Sequence, residues 1–137
     1  MPKMIFVNLP VRDLAKSTAF YGALGGQVNA QFSDDGAKCV MLSDAIGLML
    51  LSHDRYRQFT QRPIGDARRE SQALIALSVD TRDAVDVTVA RATATGGRAD
   101  PNPVQDHGFM RNRSVEDPDG YVWEIMWMDP AALAGKH

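Results

Sequence analysis

Apolar runs of four to nine residues, separated by polar punctuation, set the rhythm of this chain, and the rhythm occurs twice. Residues 3–11, KMIFVNLPV, read as a strand with Met4, Phe6 and Asn8 on one face and Ile5, Val7 and Leu9 on the other, until Pro10 ends the ladder. In LAKSTAFYGAL, Leu14, Phe20, Tyr21 and Leu24 fall near helical spacing, and Gly25-Gly26 supplies the stop. Three strands follow, over residues 27–33, 37–43 and 46–53, with turns at Asp34-Asp35-Gly36 and Asp44-Ala45. Residues 54–72 break the rhythm and read as a short helix and a loop, whose Arg62, Arg68 and Arg69 read as a solvated face, with an anion grip over a pocket as the alternative. From Ala73 the pattern restarts. ALIALSVD is a strand, and TRDAVDVTVARATAT is a helix burying Ala84, Val85, Val87, Val89, Ala92 and Ala94. Gly96-Gly97 stops it, residues 98–104 form an edge strand or irregular segment, and residues 108–116 and 121–128 form a hairpin. The expected organisation is one domain over residues 1–137: a first module over 3–53, a linker over 54–72, a second module over 73–129 and a tail over 130–137.

The last strand carries the first chemical signal. Asp117-Pro118-Asp119-Gly120 is a tight turn, and of the eight residues from Tyr121 to Met128 only Glu124 is charged. Val122, Glu124, Met126 and Met128 share a face, so the carboxylate projects among apolar neighbours and needs a hydrogen-bond partner, a proton, an ion pair or a metal. A structural carboxylate at a solvent edge satisfies the same pattern.

Composition narrows the function. Fifteen basic and 17 acidic residues give a net charge of −2 with no long basic run, which argues against nucleic-acid binding. The opening MPKMIFVNLPV is interrupted too soon for a signal peptide, and no apolar run is long enough for a membrane span, so a soluble cytoplasmic protein is expected. The single cysteine, Cys39, lies in the predicted strand KCVML and reads as a small apolar residue. Phe6, Met41, Phe109 and Trp123 supply a core or a pocket wall, with core the default.

Two βαβββ patterns, opened by NLPVRDL and STAFYGALGG and closed by EDPDGYVWEI, resemble the vicinal oxygen chelate superfamily, which takes in glyoxalase I, the bleomycin and fosfomycin resistance proteins and the extradiol dioxygenases. NLPV, the FY of the first helix, DHGFM at 106–110 and EDPDGYVWEIMWMD look most like the bacterial branch labelled predicted lactoylglutathione lyases. The resemblance implies an α+β fold of two βαβββ modules with curled mixed sheets around a shared cavity and the helices outside, and a homodimer. In the metal-dependent members, the first and last strands of each module supply His or Gln and Glu ligands. Those positions fall on Asn8, Met49, Ala76 and Glu124. Ala76 has no donor, Met49 offers a soft thioether and Asn8 a neutral amide, so the implied cage for a divalent ion such as nickel or zinc is incomplete.

Two functions follow. One is a glyoxalase-like lyase or isomerase in which Glu124 is the proton-transfer base or a metal ligand, completed by His107 or His53, with His107 and Asn8 orienting the substrate. The other is a metal-free binding protein that sequesters a small molecule, as the bleomycin resistance proteins do. Phe6, Met49, Ala76, Arg111 and Arg113 are candidate ligand contacts in either case, the arginines as carboxylate clamps unless they pair with Glu116 or Asp117 at the surface. Isolated histidines at strand ends are also common solvent-facing residues, and the terminal His137 carries no role.

Overall fold

The structure, a computed structural model, describes residues 3–134. The chain divides into two compact units, one ending at Asp66 and the other beginning at Ala67.

In the first unit, β1 (Ile5–Val11) leads into α1 (Leu14–Ala23), and β2 (Gln27–Asn29), β3 (Ala37–Met41) and β4 (Ile46–Ser52) follow. The sheet order is β1-β4-β3-β2, with β1 parallel to β4 and the other neighbours antiparallel. Helix α1 starts where the Asp13 side chain accepts the Lys16 N–H at 3.1 Å. It stops at Gly25, whose φ of +96° no β-carbon favours, and the Gly26 N–H reaches back to the Tyr21 carbonyl at 2.9 Å. Phe20, Tyr21 and Leu24 of this segment are buried together with Leu9, Val11, Val40, Leu48 and Leu50. Complete burial of each such side chain contributes about 1.5–3 kcal/mol, and the Phe20 and Tyr21 rings meet edge to face at 4.9 Å.

The second unit repeats the plan. It contains β5 (Ile75–Ser78), α3 (Arg82–Ala94), β6 (Arg98–Ala99), β7 (Gln105–Asp106), β8 (Met110–Glu116) and β9 (Val122–Met128). Its sheet order is β5-β9-β8-β6, with β5 parallel to β9 and β7 pairing the start of β8. Thr81 accepts the Ala84 N–H at 3.1 Å to cap α3, and Gly96, at φ +99°, ends it with the Gly97 N–H on the Ala92 carbonyl. Val85, Val89 and Ala92 are buried with Val115, Trp123 and Ile125. The buried arc of α3 is therefore narrower than the sequence suggests: Val87, about 200° around the helix from Val85, is 48% exposed.

The same small device feeds the third strand position of each unit. Asp34 accepts the Gly36 N–H at 2.8 Å before β3, and Asp106 accepts the Gly108 N–H at 3.0 Å before β8. The β8–β9 turn is more elaborate. Asp117 is buried, and its Oδ1 accepts the N–H groups of Asp119, Gly120 and Tyr121 at 2.8–2.9 Å. Gly120 has φ +106°, and a β-carbon there would meet the Arg68 backbone nitrogen at 2.7 Å. Residues 67–68 of the expected linker thus lie against this turn, where Arg68 donates to the Pro118 carbonyl.

Several boundaries differ from the sequence reading, and Pro10 does not end the first ladder: β1 pairs with β4 through Pro10 to Val11, as the missing N–H permits on an edge strand. The strand expected over 46–53 ends at Ser52, whose hydroxyl caps α2 (His53–Tyr56), so His53 opens a helix instead of closing a strand. The strand expected over 27–33 gives way to a 3-10 turn at Ala30–Phe32, stabilised by the Asn29 side chain accepting the Gln31 N–H. The expected tail begins with α4 (Pro130–Ala134), and its last three residues, His137 among them, lie outside the described residues.

Candidate functional site

In the first unit, strand register collects the candidate residues on the sheet face whose parity is opposite to the core positions Leu48 and Leu50. Asn8 lies beside Met49, Met49 beside Cys39, and Cys39 beside Asn29, forming one row across all four strands. The neighbouring row runs Phe6, Gly47, Met41 and Gln27. This face opens into a cleft of about 620 Å³ whose walls include Met4, Phe6, Phe32, Cys39, Met41 and Met49. Its polar residues, Asn29 at the end of β2 and Gln31, Ser33 and Asp34 after it, come from the run that leads into β3.

Gly47 shapes this cleft. A β-carbon at position 47 would lie 2.7 Å from the Phe6 ring and 2.9 Å from the Met41 sulfur, so both side chains occupy room that only glycine leaves. Phe6 remains 46% exposed. Along the polar edge, the Ser33 hydroxyl donates to the Asn29 carbonyl at 2.7 Å and accepts the Cys39 N–H at 3.0 Å. The Gly36 N–H and then the Arg55 guanidinium hold the Asp34 carboxyl below the usual carboxylate range, while burial pushes the Cys39 thiol up.

In the second unit the equivalent parallel pair places Ala76 directly beside Glu124 and Glu124 beside Ser114. Glu124 is half-buried, and its Oε2 accepts a hydrogen bond from the Asn112 amide at 2.8 Å. Asn112, absent from the sequence-derived candidates, is thus the partner that Glu124 required. Its even position on β8, shared with Ser114, was the available signal.

The two arginines serve a different face. Arg111 and Arg113 lie beside Trp127 and Ile125, opposite in parity to Glu124. Arg113 grips Asp100 with two hydrogen bonds, at 2.7 and 3.1 Å, and Asp86 of α3 at 2.9 Å; Arg111 bonds Asp86 at 2.8 Å and Asp106 at 3.2 Å. Hence neither reaches toward Glu124, and neither takes Glu116 or Asp117 as partner; Glu116 pairs with Arg98 instead. Asp86 and Asp106 both lie below the ordinary carboxylate range. Arg111 is the main cause for Asp86, and Arg82, ahead of the Gly108 N–H, brings Asp106 down to about 2.

His107 is exposed in the turn before β8, where its N–H donates to the Met110 carbonyl and its ring lies 6.2 Å from that of Phe109. His53 is half-buried at the start of α2. Among the described residues, no three His, Cys, Asp or Glu side chains are grouped to hold a metal ion. With a methyl group at Ala76, a thioether at Met49 and an amide already engaged on Glu124, the donor set does not fit a hard-ligand cage for nickel or zinc.

The α+β architecture is shared with several solved structures. A hypothetical protein from S. aureus is 24% identical, with 93% of this chain and 94% of that one covered at a TM-score of 0.75. A glyoxalase-related enzyme from Fulvimarina pelagi is 21% identical, with 93% and 88% covered at 0.76. A fosfomycin resistance protein, FosX, from Listeria monocytogenes is 21% identical, with 93% and 91% covered at 0.65. No curated protein sequence matches the chain. No helix among the described residues is long and apolar enough to cross a membrane. The sequence model for the Glyoxalase/Bleomycin resistance protein/Dioxygenase superfamily matches residues 3–125, and the chain belongs to that superfamily.

Proposed function

We propose that the protein binds a flat, largely apolar organic molecule in the cleft of its first unit and holds it without a metal. The observation that carries this reading is the cleft itself: about 620 Å³ walled by phenylalanine and methionine, with polar groups confined to one edge. Such a composition suits an aromatic ligand, because thioethers and phenyl rings offer polarisable surface while the polar edge fixes orientation. Titration calorimetry against a panel of planar aromatic compounds tests it. Phe6→Ala weakens a bound compound about tenfold, the loss of about 1.4 kcal/mol of ring burial; equal affinity for Phe6→Ala and the parent overturns the assignment of this cleft.

A second reading, a glyoxalase-like proton transfer of the lactoylglutathione lyase type, is favoured by the Asn112–Glu124 hydrogen bond. That bond fixes the orientation of a half-buried carboxylate, as a general base requires. The hemithioacetal of methylglyoxal and glutathione is the first substrate to assay, with and without added nickel or zinc. Turnover abolished by Glu124→Gln establishes this reading; absence of turnover under both conditions rejects it. A homodimer belongs to either reading, because Ile5, Val28, Ile46 and Phe32 are large apolar side chains left exposed in one chain. Sedimentation as a monomer rejects that part.

A further inference from the structure

Sulfur is concentrated in the cleft of the first unit. Met4, Cys39, Met41 and Met49 all line it, and Cys39, 2% exposed, lies beside Met49 in the strand register. The Cys39 Sγ and Met41 Sδ atoms are 3.9 Å apart. Met41 holds its sulfur there because Gly47 leaves the room: Sδ sits 2.9 Å from where a β-carbon at 47 would be. Two sulfurs bound to one ion at about 2.3 Å in a trigonal arrangement stand roughly 4.0 Å apart, so the pair is spaced for a shared metal without rearrangement of the strand.

The chemistry of these donors selects the ion. One thiolate and two neutral thioethers are soft ligands that disfavour magnesium, calcium or manganese and favour a soft monovalent ion. Among the described residues lining the cleft, only Asp34 is charged, and its carboxylate is engaged by the Gly36 N–H and by Arg55 at 3.2 Å. Among the described residues, no histidine lines the cleft to bring an intermediate-hardness ligand.

We propose that the floor of this cleft is a copper(I) site, in which the Cys39 thiolate and the Met41 and Met49 thioethers ligate the ion. The site shares its methionines with the organic-ligand reading above but does not rest on that reading, because the ion needs only the three sulfurs and not the Phe6 ring. Binding exchanges a proton for the ion: the Cys39 S–H bond breaks, a sulfur–copper bond forms, the proton leaves to solvent and copper stays monovalent.

The test is anaerobic titration of the full chain with copper(I) against a competing copper(I) chelator, with X-ray absorption on the loaded protein. The expected result is one ion per chain, with scattering from sulfur alone at about 2.3 Å. Met41→Leu and Met49→Leu, which keep the wall volume, each weaken binding at least tenfold, and Cys39→Ala abolishes it. Equal affinity in both leucine variants and the parent overturns the proposal, because a single thiol would then account for the binding. Nitrogen or oxygen scattering in the parent protein, or retained stoichiometric binding by Cys39→Ala, also overturns it, and the spectrum of the parent does not depend on any variant folding. A Phe6→Ala protein that keeps the parent's copper(I) affinity while losing affinity for an organic ligand separates this site from the reading of the Phe6 wall.

Discussion

The two units share a strand order and a helix placement, yet they have opposite chemistry at matching positions. Met49 in the first unit corresponds to Glu124 in the second, because each is centred on the parallel pair, beside Asn8 and Ala76 respectively. Two residues earlier on the same strands, Gly47, beside Phe6, corresponds to Val122, beside Glu116. One unit thereby has an open, soft, apolar face. The other has a carboxylate fixed by an amide, with its helix tied to the sheet by Asp86, which pairs with both Arg111 and Arg113. Topology evidently sets where side chains meet, and the residue identities at those meeting points decide what each face can bind.

The largest difference should appear in the turns. Replacing Asp117 by alanine removes three hydrogen bonds from a buried turn, leaving the Gly120 N–H only the carbonyl of residue 117, and is expected to cost about 3 kcal/mol in urea denaturation. Asp34→Ala in the first unit removes one such bond at an exposed site and should shift the midpoint far less. Similar losses would mean that the two units depend equally on their turns.

Next comes the glycine that opens the cleft. Gly47→Val places a side chain against Phe6 and Met41 and should cost about 2 kcal/mol, with loss of cleft binding. Val122→Ala, at the matching position, should cost less than about 1 kcal/mol because Val122 is only half-buried. A Gly47→Val protein with unchanged melting temperature and unchanged ligand affinity would show that the face tolerates filling.

Glu124→Gln keeps an oxygen that can accept from Asn112, so stability should change by less than about 1 kcal/mol while affinity in the first unit's cleft is unchanged. A parallel loss of cleft affinity would join two functions assigned here to separate faces.

The smallest effect concerns acid. Asp86 and Asp106 have folded-state pKa values below the ordinary 3.8, so the stability their ion pairs contribute is present above that pH. It is lost as pH falls toward about 2, where Asp106 takes up its proton. Solvent screening keeps the magnitude modest. Acid titration of the parent should therefore show a slightly steeper decline below pH 3.8 than that of an Asp86→Asn, Asp106→Asn double variant; identical slopes would assign the acid response elsewhere.

Much of this architecture follows from local signals. Gly25-Gly26 and Gly96-Gly97 stop their helices because the first glycine of each pair adopts a positive φ, a preference visible in any sequence. Asp117-Pro118-Asp119-Gly120 forms its turn for equally local reasons, and the alternation around Glu124 correctly separates it from the buried Trp123 and Ile125. Ser52 was harder to read. A serine at the end of an apolar run can finish a strand or cap a helix, and the observed bond to the Arg55 N–H decides for the cap.

Partnership, by contrast, depends on which strands become neighbours. Nothing in the spacing from Asn112 to Glu124 requires a hydrogen bond; the β8–β9 register puts them one step apart on one face. Arg111 and Arg113 were equally compatible with a ligand clamp until α3 brought Asp86 within 3 Å of both. Cys39 and Met41 read as core from the apolar run KCVML, and only the absence of a side chain at Gly47, on a different strand, turns their sulfurs into the floor of a cleft. The sequence by itself determined the repeat, the helix stops, the turns and the parity of each strand, because these depend on backbone preferences and periods that act over a few residues. Tertiary structure alone decided which polar groups satisfy one another and which apolar face stays open, because those outcomes depend on register between segments distant in the chain.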